Sequence, residues 1–319
     1  MTATRSQIDR HTAGVYVIAA TPFADDGALD LGSVDSLVDS YVAAGCDGMT
    51  ILGVMGEAMK LAADESREVM RRFLARAPEG FGTIVGVSAP GLDNLARLGR
   101  EAMEAGAAGV MIAPIPSLAT EEQVLAYYAQ ACAMLGEDVP VCFQDYPQLT
   151  GVKVSADTIL ELTRRHPQIV MLKHEDCPGL NKLTRVREGS DTESTPRLSI
   201  LCGNGGLHLC QELARGADGA MTGFAFPEMM VDVVRLHAEG KPDAAEDLFD
   251  AWLPLVRHEV QPGLGLALRK ETLRRRGAIK SAKVRAPGPK LTAADLAELD
   301  RLISRAQARV PAAGGRLAA

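Results

Sequence analysis

Short apolar runs alternate along this chain with longer stretches whose apolar residues recur at helical spacing. Val15–Ala19, Gly48–Leu52, Thr83–Val87 and Gly109–Ala113 each read as a strand buried on both faces, because their apolar residues follow one another largely without polar alternation. Between them, Asp30–Ala44 places Val34, Leu37, Val38, Tyr41 and Val42 on one helical face. Asp64–Ala77 reads as a second helix stopped by Pro78, and Asp93–Ala105 as a third. Pro114 and Pro116 stop the fourth strand. A fourth helix starts at Thr120, whose hydroxyl and Gln123 three residues on form a capping box.

The second half repeats the alternation. Val139–Gln144 is the fifth strand, with Pro140 interrupting its start, and Ser155 caps a helix reaching Arg165. The apolar run Ile169–Leu172 is the sixth strand and ends in Lys173. A helix at Leu180–Arg187, a strand at Leu198–Cys202 and a helix at Gly206–Arg215 follow. The eighth strand is Gly219–Gly223, and its helix is Pro227–Glu239. Eight strand–helix units predict an α/β fold of the (β/α)8 barrel type. An open doubly wound sheet is the competitor, but no Gly-rich dinucleotide turn follows the first strand. Three further helices, Asp243–Val260, Leu264–Arg276 and Thr292–Ala308, predict a C-terminal helical extension. The expected division is a leading segment at 1–13, the barrel at 14–240, the extension at 241–310 and a loose Gly/Ala-rich tail at 311–319.

Composition narrows the classes. The chain has 319 residues, 47% hydrophobic and 24% charged, which suits a globular protein with a large core. A net charge of −7 and the lack of a basic, aromatic-rich strip argue against nucleic acid. No apolar run is long enough to span a membrane, and the polar N-terminus carries no signal core. The six cysteines are scattered without a C-x-x-C pair, which predicts reduced thiols and a cytoplasmic protein. The histidines form no H-x-H or H-E-x-x-H pair, so no metal is expected.

Chemistry in such a barrel sits at the C-terminal strand ends. Lys173 closes a buried strand there. Taking an ammonium out of water disfavours its charge, and the neutral amine is what attacks a ketone carbonyl. A lysine that has merely reached solvent, or pairs with Glu175, is the plain alternative. Glu175 shares strand parity with Lys173 and can serve as base or hydrogen-bond partner, while His174 faces the helices. Gln144 ends its strand toward the same mouth and can orient a water or hydroxyl; Asp145 is the ionisable neighbour. Gly53–Gly56, with Val54 and Met55, and Gly203–Gly206 can each bring backbone N–H groups to a carboxylate or act as plain tight turns. Met221 and Thr222 close the set of substrate-binding candidates.

These positions carry a family resemblance over about residues 14 to 280. Thr21–Phe23, the loop Gly53–Glu57, Pro147 with Thr150 and Gly151, Lys173, and Gly203 together resemble the dihydrodipicolinate synthase and N-acetylneuraminate lyase family of Schiff-base barrels. The resemblance implies that Lys173 forms an imine with a 2-oxo acid whose carboxylate is held by the Gly53 loop near Met55 and by Gly203 and Met221. It also implies homo-oligomers, dimers or tetramers, and no cofactor. Several family positions differ. Val54 and Met55 stand for hydroxyl residues, Gln144 for a tyrosine, Ile115 and Pro116 for a tyrosine pair, and Leu149 for an arginine that binds a second carboxylate. Gln144–Pro147 and Glu175 followed by Cys177–Gly179 resemble the 2-keto-3-deoxyarabonate dehydratase branch, with Asp176 as an extra residue. The expected protein is a lyase for a small 2-oxo acid, a dehydratase of a 2-keto-3-deoxy sugar acid. The alternatives are a pyruvate-dependent aldolase, a synthase-like condensation, or a silent ligand-binding barrel.

Overall fold

Each apolar run becomes one stave of a closed barrel. In the computed structural model, which describes residues 7–311 and 313–315, eight parallel strands pair in chain order, and β8 returns to β1. The strands are β1 Gly14–Ile18, β2 Gly48–Ile51, β3 Gly82–Gly86, β4 Gly109–Ile112, β5 Val141–Asp145, β6 Ile169–His174, β7 Ser199–Cys202 and β8 Gly219–Ala220. Residues 1–6 of the leading segment and residues 312 and 316–319 of the tail lie outside the described residues.

The helices that wrap the barrel are α1 Leu31–Ala43, α2 Ala63–Arg76, α3 Leu92–Glu104, α4 Glu121–Leu135, the single turn α5 Pro147–Thr150, α6 Ala156–Arg165, α7 Leu180–Gly189, α8 Leu209–Ala214 and α9 Pro227–Ala238. The extension is α10 Pro242–Glu259, α11 Gly265–Arg275 and α12 Ala293–Arg309. The expected caps form. Thr120 and Gln123 make a capping box on α4, and the Ser155 hydroxyl accepts from the Thr158 N–H on α6. Each satisfies N–H groups that the first turn leaves without helical partners.

Four details depart from the periodicity. Val42 is 41% exposed, because the core face of α1 is Val34, Leu37, Val38 and Tyr41 and the helix turns Val42 off it. β5 begins only after Pro140, which has no N–H for the ladder. β8 is two residues long, although Met221 N–H still donates to Cys202 and Thr222 C=O still accepts from Ile18. The expected helix from Gly206 is broken, because Gly205 at φ 69 and Gly206 at φ 78 belong to a 3-10 turn at Asn204–Gly206, and α8 begins only at Leu209.

The extension lies against the barrel. Trp252 of α10 packs on Phe226 and Phe224, with ring centroids 4.7 and 5.9 Å away. From α11, Lys270 Nζ lies 2.5 Å from Glu57 Oε1, just past β2, and over the Phe23 ring. The Arg285 N–H donates to Glu57 Oε2 at 2.9 Å. Glu57 and Lys270 are both buried, so the Lys270 charge depends on Glu57, which also pairs with Lys60 at 2.9 Å.

Candidate active site

The register of the sheet decides what faces the barrel axis. Gln144 on β5 is paired with Lys173 on β6, and Asp145 with His174. Registered neighbours in a parallel sheet point to the same face, so these two pairs lie on opposite sides. Gln144, Lys173 and Glu175 converge inside. Lys173 is 5% exposed, and its Nζ lies 3.1 Å from Glu175 Oε2. Gln144 Nε2 donates to the same oxygen at 2.6 Å, and the Asn204 N–H donates to Glu175 Oε1 at 3.3 Å. The β6 ladder runs one residue past the strand, with the Glu175 N–H on the Asp145 carbonyl, which keeps Glu175 on the Lys173 face.

A cavity of about 520 Å³ opens over this triad. Lys173, Glu175 and Gln144 line it together with Val54, Met55, Met221 and Thr222. The N–H groups of Val54, Met55 and Gly56 donate to no described residue. The Thr222 hydroxyl is likewise buried without a partner. Unspent donors beside an amine suit an acid with a carbonyl next to its carboxylate.

Three sequence candidates sit elsewhere. Asp145 is fully buried on the outer side of β5, 2.5 Å from Lys182 Nζ, behind the cavity wall. Burial pushes its carboxyl up to about 6 against the opposing pull of Lys182. Gly203 does not line the cavity. A Cβ there would lie 2.3 Å from Glu175 Cγ, so its glycine makes room for the glutamate. Gly53 lines a second cavity of about 570 Å³, largely apolar, that shares Val54, Gln144, Tyr146 and Leu149 with the first. His174 faces outward as expected; its Nε2 meets the Gly179 carbonyl at 3.1 Å, and burial pulls its imidazole down to about 4.

Tyr146, Glu259 and Arg269 also line the Lys173 cavity, and the sequence reading did not single them out. Tyr146 has the parity of Gln144, two residues on, and burial raises its hydroxyl above the usual value. That parity was the available signal. Glu259 and Arg269 come from α10 and α11, and no local pattern in the extension marks them.

A closed parallel barrel with a buried lysine at its mouth defines the class. The chain belongs to the dihydrodipicolinate synthetase family, whose model matches residues 11–306. It is 33% identical over 301 residues to L-2-keto-3-deoxyarabonate dehydratase of Azospirillum brasilense, covering 93% of this chain and 94% of that one. It is 28% identical over 251 residues to a 4-hydroxy-tetrahydrodipicolinate synthase of Chlorobium limicola, covering 78% and 82%. A crystal structure of dihydrodipicolinate synthase from Rhodopseudomonas palustris superposes with a TM-score of 0.92 at 50% identity, covering 94% of this chain and 99% of that one. The chain is therefore an enzyme of the lyase type. No helix among the described residues is long and apolar enough to cross a membrane.

Proposed function

We propose that this enzyme dehydrates a 2-keto-3-deoxy sugar acid through an imine on Lys173. The observation that carries the reading is the buried contact of Lys173 with Glu175, itself held by Gln144, at the wall of a cavity with room for a small acid. Transfer of one proton from Nζ to Glu175 leaves a free amine. It attacks the ketone carbon, and Glu175 then gives its proton to the adduct's hydroxyl, so that water leaves, a protonated imine remains and Glu175 is again a carboxylate. Glu175 then takes a proton from the next carbon, and that C–H electron pair moves into the imine to give an enamine. The hydroxyl one carbon further takes that proton from Glu175 and leaves as water, the enamine electron pair forms the new carbon–carbon double bond, and hydrolysis of the imine releases the product and restores Lys173. The imine is the electron sink, so the chemistry calls for no metal or cofactor.

The substrate carboxylate lies on the N–H groups of Val54 and Met55, with Met221 and Thr222 opposite. The similarity to a dehydratase along nearly the whole chain supports dehydration over aldol cleavage. The barrel at 14–240 and the extension at 241–310 act as one unit, because α11 lines the cavity. Six unpaired cysteines, Cys177 exposed among them, suit the reducing cytoplasm. Exposed Val54, Met59 and Leu149 at the second cavity favour a dimer or tetramer. Incubation with L-2-keto-3-deoxyarabonate tests the reaction. A dehydratase yields a product that keeps every carbon, whereas release of pyruvate would show an aldolase.

A further inference from the structure

The sequence shows no second cation at the mouth, since Leu149 stands where the synthases carry an arginine. The fold supplies one from a distant element. Arg269, on α11, lines the cavity that holds Lys173. Its Nε is enclosed 3.6 Å from Glu259 Oε2, beyond hydrogen-bond range. Glu259 is fully buried and is fixed by the Ala225 N–H, which donates to its Oε2 at 3.1 Å. Neither Nη of Arg269 donates to a described residue. A Cβ on Gly205 would lie 3.3 Å from Nη2, so the guanidinium stands beside the loop after β7. The next residue back in that loop, Asn204, gives its N–H to Glu175.

A guanidinium is permanently charged and carries a planar fork of donors. Here the fork is positioned and unspent. An acid bound by Lys173 and the Val54–Met55 N–H groups has its reacting end at the β2 and β6 mouths, which leaves the rest of the same cavity, lined by Arg269, for its remaining atoms. We infer that Arg269 is a specificity-determining residue that donates to the hydroxyl-bearing tail of the 2-oxo acid, with Glu259 holding and neutralising it. This rests on the Schiff-base reading and adds the substrate's far end to it. A neutral tail fits better than an anionic one. Arg269 already lies in the field of both Glu259 and Glu175, and a terminal carboxylate would bring a third negative charge there.

The test compares three acids, each trapped on the purified enzyme with borohydride and read by intact mass: pyruvate, L-2-keto-3-deoxyarabonate, and 2-oxoglutarate, whose tail is a carboxylate. In the wild type the hydroxylated acid half-saturates at a lower concentration than the other two. Hydrogen bonds from a charged donor predict that Arg269→Gln shrinks its advantage over pyruvate by about ten- to a hundredfold. Arg269→Lys, which keeps a charged donor without the fork, retains part of the advantage, and melting curves confirm that both variants fold. An advantage unchanged in both variants, or a loss shared equally with pyruvate, overturns the inference while leaving the lysine chemistry standing. So does 2-oxoglutarate proving the tightest of the three. No trapping by any acid in the wild type overturns the lysine reading, and this one with it.

Discussion

Glu175 holds three contacts at once: Lys173, the Gln144 amide and the Asn204 N–H. If it moves the protons, Glu175→Gln lowers kcat by about 10²- to 10⁴-fold while pyruvate can still be trapped on Lys173. Gly203→Ala acts in the same direction, because its Cβ occupies the space of Glu175 Cγ. Steady-state rates with the deoxy sugar acid check both, and wild-type turnover in either variant would remove Glu175 from the chemistry. Glu259 gives a pH signature. Burial pushes its carboxyl up to about 7, above the ordinary glutamate value. A raised folded value contributes stability that is present in acid and lost as pH rises through about 7. The melting temperature of the wild type therefore falls relative to Glu259→Gln over that interval, and a constant difference would contradict it. Parity made Lys173, Glu175 and Gln144 legible in the sequence. The same alternation puts Asp145 on the outer face, and weighing it against Gln144 would have excluded it. Glu259 and Arg269 were not legible, because only packing of the extension onto the mouth brings them there.

At the scale of elements, α11 does two things with adjacent residues. Arg269 lines the cavity, while Lys270 reaches Glu57, which follows the Gly53–Gly56 loop. Burial pulls the Lys270 ammonium down to about 8 although Glu57 opposes it. Removing Glu57 strands the buried Lys270 ammonium, so Glu57→Ala should cost about 3–5 kcal/mol, whereas Lys270→Ala should cost less, because Glu57 keeps its pair with Lys60 at 2.9 Å. Glu57→Ala combined with Lys270→Ala should cost less than the sum of the two single changes, and urea unfolding of the set measures it. Additive losses would show that the pair is not coupled. Caps and apolar stripes were readable here, since Thr120 and Ser155 sit where the helices begin. The turn α5 and the break at Gly205 were not, because one is a single helical turn and the other depends on a positive φ that sequence periodicity does not register.

For the whole molecule, counting alternating units was enough to find the barrel, because a parallel strand buried on both faces has a distinctive apolar run. The extension was legible as helices but not as part of the site. It closes the side of the cavity where the substrate's tail would lie, while the lysine strand supplies the reacting end. On the proposed reading, barrel and extension divide the work between reaction and selection, and both parts depend on an imine at one position. Borohydride reduction in the presence of pyruvate, followed by peptide mapping, tests that most directly. The account predicts a single reduced adduct on the peptide carrying Lys173, absent from Lys173→Ala. An adduct on another lysine, or an adduct that persists in Lys173→Ala, would contradict it.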